Sequence, residues 1–157
     1  MSRTKAARKI AEAVVAATGR ALLADDFDAF HRHQELPQPI ETFGGRKTVQ
    51  SAAQMREIFQ SVRGHQKRLG VTRLDRRVQE AKFVDEDHIE VIYQSDAYRG
   101  DELVQTPYPS FAILRRYGDQ WKFVYCMYAV MDDERLNDAL LNVPDKIASR
   151  FSRSAAA

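Results

Sequence analysis

Apolar residues first recur with a helical period. Ile10, Ala13, Val14, Ala17 and Ala21 fall at spacings of three and four, which places them along one side of an α-helix spanning 6–23. Gly19 weakens that helix slightly. Asp25 and Asp26 come next, and a carboxylate there accepts the free amide protons of a first helical turn. A second, short helix is therefore predicted, with Phe27, Phe30, His31 and Gln34 on one face and Pro37 and Pro39 beyond its end. The stretch PIETF (39–43) alternates like a strand and is closed by Gly44 and Gly45. From Thr48 a longer helix is expected, with Val49, Ala52, Met55, Ile58, Phe59 and Val62 as its apolar stripe and Gly64 or Gly70 as its stop.

Beyond this point the pattern reads as strand. Four strands are predicted at 71–84, 89–98, 104–117 and 121–130, with turns at 85–87, 99–102 and 118–119. They form consecutive antiparallel hairpins. Pro107 and Pro109 cannot donate to a ladder, so they mark an edge or a bulge that bends the sheet. A last helix is expected at 132–141, and a loose tail at 146–157 leaves 1–145 as one domain. Helices first and a bent antiparallel sheet afterwards predict an α+β domain.

Composition narrows the partners. A chain of 157 residues suits one domain with a substantial core. Lys plus Arg number 24 against 22 for Asp plus Glu, a balance unlike the concentrated basic face of a nucleic-acid binder. Cys126 is the single cysteine, so there is no intrachain disulfide and no case for an oxidising compartment. No apolar run approaches the ~20 residues that cross a bilayer, and the basic start MSRTKAARK lacks the apolar core of a secretory signal. The expectation is a cytoplasmic protein with neither nucleic acid nor membrane as partner.

ALLADDFDAF, then PIETFGG, a helix from Thr48 and three hairpins ending in YGDQWKFVY resemble the nuclear-transport-factor-like superfamily, which includes SnoaL-like cyclases and steroid isomerases. The resemblance covers 6–130. It implies a cone: a strongly bent antiparallel sheet wrapped around the N-terminal helices, with an internal pocket that takes a small molecule. Along 121–130, Trp121, Phe123, Tyr125 and Met127 alternate with Val124, Cys126, Tyr128 and Val130. The resemblance turns the second set toward the pocket and the first outward. An exposed patch of four large residues is a liability, so it is expected to be a homodimer interface; a monomer whose tail helix covers the patch is the alternative.

In the steroid isomerases the base lies on the first strand, at the position of Thr42. Their second acid falls at Ala112 and their tyrosine at Thr18, so all three roles are missing here. Glu41 neighbours Thr42 but alternation points it away. The remaining polar set comprises His31; Asp96 and Tyr98, on a strand face with Ile92 and Gln94; Tyr108 and Ser110; and Cys126 and Tyr128. By the resemblance these line the cone, with Asp96 or His31 as base and Tyr108 or Tyr128 as donor in a cofactor-free isomerase, cyclase or dehydratase. The alternatives are a hydrogen-bonded core His31, a solvated Asp96 if Ile89, Val91 and Tyr93 face the core, and a Cys126 that is merely a small buried hydrophobe. The run Arg73, Asp75, Arg76 and Arg77 reads as a solvated strand face, although Asp75, Arg77 and Asp96 could imitate the Asp-Arg-Asp trio with which some relatives open epoxides. His31 and His33 point apart on a helix, so no metal site is expected. A non-catalytic ligand-binding module or a protein-interaction module is the alternative function.

Overall fold

A computed structural model of the chain describes residues 2–131 and 133–142. The first helix, α1 (Arg3–Leu23), starts where the Ser2 hydroxyl accepts a hydrogen bond from the Lys5 amide at 3.2 Å. Its buried side is Ala7, Ala11, Val14, Val15, Thr18 and Leu22, while Ala13 is exposed. Val14 and Ala21 of the predicted stripe are buried too, so the buried side is the predicted one turned part of the way toward Ala7, Ala11 and Thr18. The short helix α2 (Phe27–His31) is capped by Asp26, whose carboxylate accepts from the Ala29 amide at 3.0 Å, as the aspartate pair implies.

The predicted strand is β1 (Gln38–Thr42), but the expected helix does not begin at Thr48. Gly45–Val49 is instead a second strand, β2, folded back on β1 with Ile40 opposite Lys47 and Thr42 opposite Gly45. The helix α3 (Ala52–Leu69) begins only after Ser51, whose hydroxyl accepts from Gln54 at 3.2 Å. Val49 is buried as a strand residue; its three-residue spacing from Ala52 imitates a helical stripe. The helix ends at Gly70, in the left-handed region at φ 70°. There the Val71 amide donates to Gln66 O and that of Gly70 to Lys67 O, a Schellman-type stop.

The meander continues the chain as β3 (Arg73–Asp85), β4 (His88–Arg99), β5 (Glu102–Tyr117) and β6 (Gln120–Tyr128). A closing helix α4 spans Glu134–Leu141. The sheet order is β2-β1-β6-β5-β4-β3, with β1 running parallel to β6 and every other pair antiparallel. Register shifts near Gln105 and Pro107 mark bulges in β5, where the prolines predicted a bend.

A further bulge corrects the expected strand faces. Ile113 stands opposite Tyr125 and Leu114 opposite Phe123, so Val124 is the extra residue. Alternation slips by one there. Phe123 is 2% exposed inside the core, and Trp121 packs on that core beside Phe83, with ring centroids 6.0 Å apart. Only Tyr125 and Met127 of the expected outward quartet stay on the outer face. On β4 the core side is Ile89, Val91, Tyr93, Ser95 and Ala97, which leaves Asp96 and Tyr98 on the opposite side. One core lies between α1 and β3–β6; a second joins α2, α3, α4 and β1. Among the described residues no helix is long and apolar enough to cross a membrane. The predicted tail at 146–157 lies outside the described residues.

Candidate functional site

The second core does not close completely. Between α3, α4 and the concave side of the sheet lies a cavity of about 50 Å³, roomy enough for about four waters or a few ligand atoms. Met55, Ile58, Phe59, Val62 and Gln66 reach it from α3 at spacings of three and four. Gln38 and Ile40 reach it by alternation from β1, and Leu74 and Arg76 likewise from β3. Phe30, Gln34, Ala97, Gln105, Tyr108, Tyr128, Leu136 and Leu140 complete most of the wall.

The polar groups in this wall are carboxamides, phenols and one guanidinium. Gln38 Nε2 donates to Gln34 Oε1 at 2.9 Å and to Phe123 O at 3.0 Å. The segment carrying Gln34 is itself tied to β6, because the Glu35 amide donates to Phe123 O and the Phe123 amide to His33 O. Gln105 Oε1 lies 3.2 Å from His65 Nε2. Burial raises the pKa of both Tyr108 and Tyr128, so their hydroxyls keep their protons. Arg76 Nη1 donates to Thr18 Oγ1 at 2.9 Å. Thr18 is the helix position at which the isomerase resemblance expects a tyrosine. Among the described residues no carboxylate and no imidazole belongs to the wall.

Of the residues expected to line the pocket, Tyr108 and Tyr128 do so. Ser110 and Cys126 are on the same side of the sheet but sit in the first core, at 1% and 3% exposure. Ser110 is paired across the strands with Tyr93, and burial pushes the Cys126 thiol up to about 12, which suits a small hydrophobe and no nucleophile. Asp96 and Tyr98 are on the far side. Asp96 Oδ2 accepts from Arg77 Nη2 at 2.9 Å, and the Arg73 guanidinium covers the Tyr98 ring at 4.2 Å. Asp75 does stand opposite Asp96 in the register, but that trio belongs to the outer surface. His31 also misses the cavity. It stacks on Phe27 at 5.2 Å, and Phe30 and Gln34 make the contribution expected of it.

Sequence reasoning missed Gln38, Gln66, Gln105 and Arg76. For Arg76 a signal existed: it alternates with Leu74 and Val78, the apolar side of an otherwise charged strand. Among the described residues no group of three or more His, Cys, Asp or Glu side chains could hold a metal.

No protein-family model matches the chain, and no curated protein does. Solved structures do match. A protein of unknown function with a cystatin-like fold from Nostoc punctiforme superimposes with a TM-score of 0.65 at 12% identity, over 85% of this chain and 97% of its own. A ketosteroid isomerase-like protein from Erwinia carotovora atroseptica gives 0.60 at 16% identity, over 80% and 97%. An NTF2-like protein with a cystatin-like fold from Novosphingobium aromaticivorans gives 0.61 at 16%, over 86% and 88%. The chain has the cystatin-like α+β fold of these proteins, as its resemblance to the superfamily implies. At such identities the likeness concerns fold.

Proposed function

We propose that this NTF2-like cone binds a small, mainly apolar organic molecule in the cavity between α3 and the sheet, and that it works as a homodimer. The observation that carries the first half is the wall itself: apolar side chains from seven elements, a few anchored polar atoms and, among the described residues, no carboxylate or imidazole. Such a composition is that of a ligand site. Isomerase, cyclase or dehydratase chemistry needs a base that titrates near the working pH. Buried phenols with raised pKa values and an arginine are poor bases, so binding without turnover is the better-supported reading.

The homodimer draws support from the outer face. Ile92 stands beside Phe111 and Phe111 beside Met127, while Ile113 faces Tyr125. Together they form an apolar strip across three strands, of which Tyr125 and Met127 are the surviving members of the expected interface.

The cavity reading is tested by thermal shift with organic molecules of a few carbon atoms on the wild type and on Val62→Phe, which fills the cavity. A ligand at 100 times its Kd adds about 2.7 kcal/mol to the folded state. The expected result is a shift in the wild type that the filled variant loses. No shift with any compound, or an equal shift in both proteins, overturns the reading.

A further inference from the structure

Arg76 is the charged side chain of the cavity wall, and its surroundings leave it short of a partner. Its neighbours on the strand are paired: Arg73 Nε lies 3.3 Å from Asp75 and Arg77 Nη2 lies 2.9 Å from Asp96. Arg76 turns the other way, under the sheet. Its Nη1 donates to two neutral oxygens, Thr18 Oγ1 at 2.9 Å and Val15 O at 3.4 Å. Its Nε is buried and has no hydrogen-bond partner. Arg76 is half-buried, and besides those oxygens its guanidinium meets only the neutral Tyr93 ring, at 5.7 Å; an unused buried donor there is costly.

The fold makes room for this arrangement. A Cβ on Gly19 would stand 3.3 Å from Arg76 Cδ and 3.6 Å from Nε. A mid-helix glycine costs about 1 kcal/mol relative to alanine; here it lets the arginine stem cross α1. Tyr108 and Tyr128 share the cavity wall with Arg76. No carboxylate faces Arg76 from the described residues of the wall, and beyond the carboxamides and phenols that wall is apolar.

We propose that the occupant of this cavity is a small monocarboxylate with a short apolar body, its carboxylate accepting from the Arg76 guanidinium. The proposal rests on the small-molecule reading above and gives it a chemical class. A guanidinium edge matches the planar fork of a carboxylate. One negative charge balances one arginine, whereas a dianion would leave a net charge in a low-dielectric site. A volume of about 50 Å³ limits the body to a few carbon atoms.

The experiment is calorimetric titration of the full chain with propionate and butyrate, and with their neutral counterparts propionamide and butyramide. Wild type, Arg76→Gln and Arg76→Lys are compared. Wild type is expected to bind at least one acid about tenfold or more tightly than its amide, a factor that corresponds to about 1.4 kcal/mol. Arg76→Gln should erase that preference while amide binding persists, and Arg76→Lys should keep part of it. Acids and amides binding wild type alike would overturn the carboxylate proposal and leave the small-molecule reading standing. Binding of neither would overturn both. Should Arg76→Gln not fold, the Arg76 Nε–H resonance of the wild type decides: it must move on addition of acid and stay in place with amide, and no movement at saturating acid overturns the proposal.

Discussion

The Arg77 guanidinium stands 2.9 Å from the Asp96 carboxylate, on the side of the sheet turned away from the cavity. Gln94 Nε2 donates to the other carboxylate oxygen at 3.1 Å. The Asp96 side chain is 8% exposed and that of Arg77 is 64% exposed, so removing the acid frees a cation that water can solvate. Asp96→Asn is expected to lower stability by about 1 kcal/mol and to leave the ligand response of the cavity unchanged. Denaturation and ligand titration of the same variant check both halves. A lost ligand response would place Asp96 in the site after all.

Helix propensity alone says that Gly19→Ala should stabilise the protein by about 1 kcal/mol. The approach of Arg76 to within 3.3 Å of the added methyl opposes this, because Thr18 holds the guanidinium in place. The gain is therefore expected to be absent in the wild-type background and to return when Arg76 is shortened to alanine. A double-mutant cycle by urea denaturation measures that coupling.

Acid should weaken the fold in two separate ranges. Burial lowers the pKa of His65 below its ordinary 6.5, against the hydrogen bond with Gln105, and burial lowers that of His33 in the same way. Below pH 6.5 the unfolded chain takes up protons that the folded chain resists, so stability falls with falling pH in that window and is flat above it. Asp25 acts lower down. The hydrogen bond from Lys67 leads in pulling its pKa below 3.8, and its contribution, present above 3.8, is lost as pH falls through the folded value. His65→Gln is expected to reduce the slope of the stability profile below pH 6.5, leaving the share that His33 contributes. An unchanged slope across a denaturation series at those pH values would contradict this.

The outer strip predicts a concentration-dependent assembly. Phe111 contacts Tyr125 edge-on, with centroids 6.2 Å apart, and is paired with both Ile92 and Met127. Sedimentation of the wild type should show a dimer, and Phe111→Glu should show a monomer that keeps its secondary structure and its cavity. A monomeric wild type at high concentration would refute the pairing.

Much of the architecture was legible in local chemistry. The hairpins announced themselves through alternation and acidic or glycine turns, α2 through Asp26, and the end of α3 through Gly70. What escaped was decided by pairing rather than by pattern. The strand β2 hid because Val49 keeps helical spacing with Ala52, and its strand identity depends on Gln38 across the ladder. The bulge at Val124 left no mark in the sequence, yet it moved Trp121 and Phe123 from the outer surface to the core. A fold analogy turns Asp96 inward, against the more apolar Ile89, Val91 and Tyr93 set that in fact faces the core. Arg76 was lost in a charged run, since composition cannot show which of four neighbours turns under the sheet.

The parallel pairing of β1 with β6 has a consequence in time. Ile40 meets Cys126 and Thr42 meets Tyr128, so two segments from opposite halves of the chain must find each other before the sheet is whole. As the chain is synthesised from its N-terminus, the β1–β2 hairpin has an open edge until β6 exists. During that interval one side of the cavity has no wall. Such long-range closure slows folding relative to local hairpins, and it leaves the growing chain with an exposed strand edge of the kind that invites aggregation.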